Sequence, residues 1–269
     1  MGQEQLNRPV YARAATVAAY ASAAGFCDEG ERLLFEQYKH ELRGKRILDL
    51  GVGGGRTIPL LMPLASSYVA LDYVPEMVGA AQRRFPSVDI QVGDGRDLSR
   101  FADASFDAVV FSFNGLDCLS HYDRPRALQE VLRVLQPGGL FWFSTLNIEG
   151  RGRHMRPWHP EWPKFEGNPL RFAFQTLRMG LHMPRRILNR ARIWPQFVQG
   201  NGWCHDTISA HDYALVVHYT TLKRQLQELT EVGFEPNPTV RESGTGQEVA
   251  ADDDHLGTFW FQILAHKPH

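Results

Sequence analysis

The stretch Ile47-Leu48-Asp49-Leu50-Gly51-Val52-Gly53-Gly54-Gly55-Arg56 runs an apolar strand into a glycine-rich turn ahead of a helix. Glycines let the backbone adopt positive φ and pass close to a ligand without a Cβ in the way. A nucleotide-like ligand can then sit at the carboxyl edge of a sheet, where doubly wound folds bind ligands. Such a turn is also compatible with a plain tight turn, so the residues that follow decide its meaning. Asp72 closes the next strand, where a carboxylate can accept from both ribose hydroxyls or cap the helix after it. Asp94, in Val92-Gly93-Asp94-Gly95, can meet an adenine amino group or simply form an Asp-Gly turn.

Outward from this stretch, strands alternate with helices. Tyr68–Leu71, Asp89–Val92, Phe106–Phe113 and Leu140–Thr145 read as strands. Thr57–Leu64, Pro75–Arg84 and Arg124–Leu135 read as helices; Pro63 ends the first early, and Gln136-Pro137-Gly138-Gly139 stops the last. Residues 8–43 read as helical, with an Ala-rich part at Ala14–Ala24, Asp28 as a candidate N-cap, and Leu33, Leu34 and Tyr38 at helical spacing. After Asn147 the pattern breaks into sequence rich in Arg, Trp, Pro and His, with one amphipathic stretch, Leu170–Ile193, and no clear strand. Regular structure resumes at Tyr213–Tyr219. A helix follows from Leu222 to a C-cap at Gly233, then strands around Thr239–Arg241 and Thr258–Lys267. The loop between these strands is acidic, with Glu248, Asp252, Asp253 and Asp254. The expected fold is α/β: a doubly wound, mostly parallel seven-stranded sheet with an antiparallel final strand, N-terminal helices and an inserted cap. Residues 1–44 are expected to form a helical lid, 45–146 and 213–269 the core, and 147–212 an acceptor-binding cap.

Asp49-Leu50-Gly51-x-Gly53-x-Gly55 resembles the first motif of class I (Rossmann-like) S-adenosylmethionine-dependent methyltransferases. Leu71-Asp72-Tyr73-Val74-Pro75-Glu76-Met77 is similar to their second motif, Asp94-Gly95 to their third, and Phe106–Asn114 to their fourth strand. Pro137-Gly138-Gly139 resembles the turn into their fifth strand. The resemblance implies S-adenosyl-L-methionine as cofactor. It sets Asp72 at the ribose and Asp94 with Gly95 at the adenine, and counts Tyr73 among the cofactor-binding residues. Asp49 is expected near the methionine ammonium, Asn114 and Gly115 are expected to border the transferring methyl group (a structural turn is the other reading of Asn114), and Phe113 is expected among the cofactor-binding residues. Tyr11 and Tyr20 could close over the cofactor from the lid or serve only in packing. A nicotinamide dehydrogenase is disfavoured, because Arg56 stands where G-x-G-x-x-G wants its last glycine.

Lys and Arg number 29 against 30 Asp and Glu, so the net charge of −1 exerts no global pull on nucleic acid or membrane. Between Arg151 and Arg192, however, ten Lys or Arg face only Glu161 and Glu166. An anionic small-molecule acceptor held by arginine forks is one reading; a solvated cap face is the other. Trp158, Trp162, Phe165, Phe172, Phe174, Trp194 and Phe197 supply enough apolar mass for a folded cap, and nucleic acid is not the expected partner. Of His154, His159, His182, His205, His211 and His218, the candidate bases are His205 and His211; none is paired at the spacing of a helical zinc site. Three widely spaced cysteines, no apolar leader and no membrane-length apolar run suggest a cytoplasmic chain with neither metal nor membrane partner. The expected activity is methylation of O or N on a small molecule. RNA or peptide methylation and a silent cofactor-binding module are the alternatives.

Overall fold

Strand alternation builds two apolar layers from one set of strands, because successive side chains point to opposite faces. Leu48 and Leu50 of β1 (Arg46–Leu50), Val109 of β4 (Phe106–Phe111) and Phe141 and Phe143 of β5 (Leu135–Leu146) face one way. They meet Leu128, Val131 and Val134 of α6 (Arg124–Val134) and Leu222 and Leu229 of α9 (Leu222–Val232). Ile47, Val110 and Trp142 face the other way. Packed on them are α3 (Glu29–Leu42), α4 (Ile58–Leu61) and α5 (Pro75–Arg84), through Leu34, Ile58 and Val78 among others. In the computed structural model, residues 2–23, 25–158, 165, 167–253 and 255–269 are described. Ala24, His159, Glu161, Trp162, Glu166 and Asp254, named above, lie outside the described residues.

With β2 (Ser67–Asp72), β3 (Asp89–Val92), β9 (Thr239–Glu242) and β10 (Trp260–His266), the main sheet has the order β3-β2-β1-β4-β5-β10-β9. The strands from β1 to β5 pair in parallel, and β10 runs antiparallel to both β5 and β9. This is the seven-stranded, mostly parallel sheet with an antiparallel final strand that the pattern predicts. Strand order reverses between β1 and β4, which puts a ligand crevice at their carboxyl ends. β5 begins earlier than expected: Leu135 pairs with Phe106, and the register shifts before Ala108 pairs with Leu140. Pro137-Gly138-Gly139 is therefore an irregularity within the pairing, not its start.

The segment after Leu146 contains α7 (Arg151–His154) and α8 (Pro169–Ile193), and it is not strandless. β6 (Val198–Gly200), β7 (Trp203–Thr207) and β8 (Val216–Thr220) form a separate antiparallel sheet. The strand expected where the core resumes thus belongs to this second sheet. Every residue of β7 and β8 is buried, so neither shows the period-2 polarity that marks a half-exposed strand. α1 (Gln3–Tyr11) docks on β8 through Asn7, whose amide donates to the Val216 carbonyl at 2.7 Å and accepts the Val216 N–H at 2.9 Å. α2 (Ala14–Ser22) lies against the glycine turn, and α3 starts where expected. One Asp28 oxygen accepts the Glu31 N–H, and the other accepts from Trp260 and Gln262 of β10.

Candidate active site

A cavity of about 330 Å³ opens at the carboxyl ends of β1, β2 and β4, within the size range of small-molecule sites. Gly51 and Gly53 form its floor, Asp72 and Tyr73 follow from β2, and Asp94 and Gly95 from the end of β3. Gly53 sits at φ 55°, and its N–H donates to Asp72 Oδ2 at 2.8 Å. The Val74 N–H donates to Asp72 Oδ1 at 2.8 Å. Each Asp72 oxygen keeps a second lone pair for a ligand. Burial pushes the Asp72 carboxyl up to about 6 against these two hydrogen bonds. Asp94 differs. Burial raises its pKa, but hydrogen bonds from Arg96, one at 2.7 Å, outweigh that and hold it below the usual carboxylate value.

Gly54 is required by close approach rather than by φ. A Cβ there would lie 2.4 Å from the Ala21 nitrogen, so α2 rests directly on the turn. Gly54→Ala is expected to lift α2 and to destabilise the fold by about 1–3 kcal/mol, the usual cost of overpacking. Urea denaturation measures this; an unchanged midpoint would show that α2 does not need that contact.

The opposite wall is aromatic. Tyr11 meets Tyr20 at 6.0 Å, Tyr73 at 6.4 Å and His211 at 5.7 Å, all edge to face. Tyr20 stacks on His211, and its hydroxyl lies 3.4 Å from His211 Nε2. The Tyr73 hydroxyl is buried with no hydrogen-bond partner among the described residues. Two runs of left-handed backbone supply cavity residues: Phe113–Asn114 (φ 54° and 61°) and His211–Asp212–Tyr213 (φ 52°, 55° and 60°). Elsewhere among the described residues, only Ala104 and Asn237 take positive φ without being glycine. Strained backbone concentrated at one cavity is the signature of a site whose geometry is held against local preference.

Residues 48–143 match the family model described as a methyltransferase domain. Over those residues the chain carries a methyltransferase domain. It is 40% identical over 97 residues to a demethylmenaquinone methyltransferase of Renibacterium salmoninarum, covering 36% of this chain and 39% of that one. It is 34% identical over 121 residues to a ubiquinone biosynthesis O-methyltransferase of Xanthomonas oryzae pv. oryzae, covering 43% and 49%. The matched part is thus less than half the length of these curated relatives. In fold it is similar to an S-adenosylmethionine-dependent methyltransferase from Mesorhizobium loti, with a TM-score of 0.56, 20% identity and coverage of 88% and 98%.

Four predicted site residues lie outside the cavity lining. Asp49 shares a strand face with Ile47 and points away, accepting hydrogen bonds from Thr57 and Tyr68; burial pushes its carboxyl to about 6. The Gly55 Cα faces the Phe85 ring. The Asn114 N–H donates to Ser144 Oγ at 2.6 Å, in a turn beyond the end of β4. His205 lies in β7, where its Nε2 accepts the His121 N–H at 2.9 Å, and burial lowers its pKa to about 4. Its lone pair is committed, so it is no base for this cavity. The lining does include Gly51, Gly53, Asp72, Tyr73, Asp94, Gly95, Phe113, Tyr11, Tyr20 and His211.

Sequence reasoning missed the Arg56–Glu31 pair. Arg56 makes two hydrogen bonds to Glu31, at 2.6 and 2.7 Å, and one to Ser112, and its guanidinium lies 5.0 Å from the Phe113 ring centroid. It ties α3 to the glycine turn, and no local pattern announces a partner 25 residues away. The arginines of residues 147–212 do not converge on the site. Arg186 pairs with Asp212 at 3.0 Å and Arg190 with Asp206 at 2.9 Å, and among the described residues no arginine of this segment lines the cavity.

Proposed function

We propose that the chain transfers the methyl group of S-adenosylmethionine to an oxygen or nitrogen of a small, largely apolar acceptor, with His211 as the base. One observation carries this reading: a neutral imidazole in an aromatic wall faces the same cavity as the glycine turn and Asp72. The lining suits the donor. Asp72 retains acceptor capacity for the ribose hydroxyls, the buried Tyr73 hydroxyl lacks a partner, and Asp94 with Gly95 offers a polar edge to adenine. When bound there, the sulfonium supplies an already activated methyl group. The chain's own residues orient the acceptor and exclude water, a contribution of ~7–11 kcal/mol in well-aligned systems.

Burial holds His211 below the ordinary histidine value of 6.5; Arg13 adds to this and Asp212 opposes it. The ring is therefore neutral at physiological pH and can take a proton from an acceptor hydroxyl or amine. Because no described arginine of residues 147–212 lines the cavity, and Arg186 and Arg190 are engaged by Asp212 and Asp206, the site gives an anionic acceptor less support than an uncharged aromatic one. The relative from Xanthomonas oryzae, an O-methyltransferase by name, supports oxygen as the acceptor atom.

His211→Asn is the informative variant, since asparagine tolerates the left-handed backbone at this position. It is expected to lower kcat by about 10²–10⁴-fold on a phenolic or quinol acceptor, with donor binding retained. Only the neutral ring acts as a base, so the wild-type rate should fall as pH drops through a midpoint below 6.5, and the variant should lose that limb. An unchanged kcat and pH profile would remove His211 from the chemistry. Donor binding without turnover on any acceptor would favour a silent module.

A further inference from the structure

α8 buries Ile193 inward yet carries a second apolar stripe on the side turned away from the protein. A surface helix ordinarily turns its apolar stripe to the core and its charges to water. Here Arg186, Asn189 and Arg190 face inward, bonded to the Asp212 carboxylate, the Asp212 carbonyl and the Asp206 carboxylate at 3.0, 2.9 and 2.9 Å. Leu170, Phe174, Leu177, Leu181 and Leu188 lie on the opposite side, with exposures of 82, 65, 62, 71 and 49%. Their spacing of three, four and seven residues places them in one stripe on a helix of 3.6 residues per turn. Arg171, Arg178, Arg185 and Arg192 recur every seven residues along one flank of that stripe, and all are exposed, with Arg185 Nε also 3.6 Å from Asp212 Oδ2. The helix has six arginines and no carboxylate.

We propose that α8 seats the protein on an anionic lipid bilayer, lying in the interface with its leucines in the acyl boundary and its flanking arginines on the phosphates. Charge decides among the occupants this face could take. A second copy would set one arginine row against another, which repels. An anionic bilayer surface attracts them, and a basic helix with an apolar face suits it. Trp194, 62% exposed just beyond the C-terminal end, is the residue type that favours the headgroup layer. No described helix is long and apolar enough to cross a membrane, so the contact is peripheral. α8 also grips Asp212, the neighbour of the cavity residue His211, so the docking helix and the cavity wall form one mechanical unit. The inference stands independently of the methyl-transfer reading.

Vesicle co-sedimentation of the full chain tests it. Mixed phosphatidylglycerol–phosphatidylcholine vesicles should bind the protein, phosphatidylcholine vesicles should bind it weakly, and added salt should weaken the binding. Leu177→Gln/Leu181→Gln should lose at least roughly tenfold in affinity, the scale of two leucines withdrawn from an apolar phase. Arg178→Gln/Arg192→Gln should lose about 25-fold on anionic vesicles, at roughly fivefold per arginine. Both pairs are exposed, so thermal midpoints without vesicles should match wild type. The proposal is overturned if anionic vesicles bind no better than neutral ones, or if both variants bind as wild type does. It is equally overturned if Leu177→Gln/Leu181→Gln only converts a dimer to a monomer, or if an acidic peptide binds this face and vesicles do not.

Discussion

Arg124→Met is expected to destabilise the fold by about 3–5 kcal/mol at neutral pH, the cost of stranding a buried charge by removing its partner. Arg124 and Asp117 both have side chains with no solvent exposure and lie 2.7 Å apart. The guanidinium also reaches Gln225 and Glu228 of α9 and the Leu116 carbonyl. Asp117 in turn accepts from Thr145 Oγ1 at 2.9 Å and the Leu146 N–H at 2.6 Å, both in β5, and its carbonyl accepts from Gln3 of α1. One ion pair therefore joins α1, the turn after β4, α6, β5 and α9. Burial pushes Asp117 up to about 6, with Arg124 pulling it down; without Arg124 it rises further.

The sign of the pH effect follows. A carboxyl whose folded pKa is raised contributes stability that is present below its unfolded pKa and lost as pH rises through the folded one. The penalty in Arg124→Met should thus be larger at alkaline pH and shrink on acidification, when Asp117 becomes neutral. Adding Asp117→Asn should recover part of the loss. Urea denaturation over a pH series measures all three variants. A penalty under about 1 kcal/mol, or one independent of pH, would show that the pair is effectively solvated.

Arg124 also shows where sequence reading stops. An arginine in the first turn of a helix reads as a solvated residue, and nothing nearby signals that Asp117 and Glu228 close over it. The main sheet was legible because both of its faces are covered, so each strand is an apolar run punctuated by turn residues. The cavity floor was legible because glycine and acidic residues fall at the ends of successive strands. Asp49 stands in the same motif, yet alternation along β1 turns it beneath the sheet with Ile47, toward Thr57 and Tyr68. His211 and His205 look alike in sequence. Only the fold shows that one stacks on Tyr20 in the cavity while the other accepts a backbone N–H across the second sheet. The amphipathic period of α8 was legible, but which face it would bury was not.

Asp72→Asn is expected to weaken binding of the donor, or of its demethylated product, by about 100-fold or more. Hydrogen bonds to a charged acceptor contribute about 1.5–3 kcal/mol each, and the ribose presents two hydroxyls. The substitution is nearly isosteric, but a carboxamide has only one acceptor oxygen. Since Gly53 and Val74 each donate to a different Asp72 oxygen, one of these N–H groups would face an NH₂ and cost about 1–3 kcal/mol. Against that stands a relief. Burial raises the wild-type carboxyl from 3.8 to about 6, so its ionised form costs the free protein on the order of 3 kcal/mol at neutral pH. The two effects nearly offset, and the variant should keep stability within about 2 kcal/mol of wild type while losing the ligand. The wild-type fold should lose stability relative to the variant as pH rises through about 6, because a raised folded pKa favours the neutral form. Binding should run the opposite way. Only the carboxylate accepts from both hydroxyls, so wild-type affinity should fall toward tenfold per pH unit below about 6, with no such slope in Asp72→Asn. Calorimetry with the demethylated product across that range reads both quantities. Equal affinity in the two proteins, or the same acid limb in both, would remove Asp72 from the ribose; a collapse of the variant's stability would show instead that the carboxylate is chiefly the clamp that closes the glycine turn.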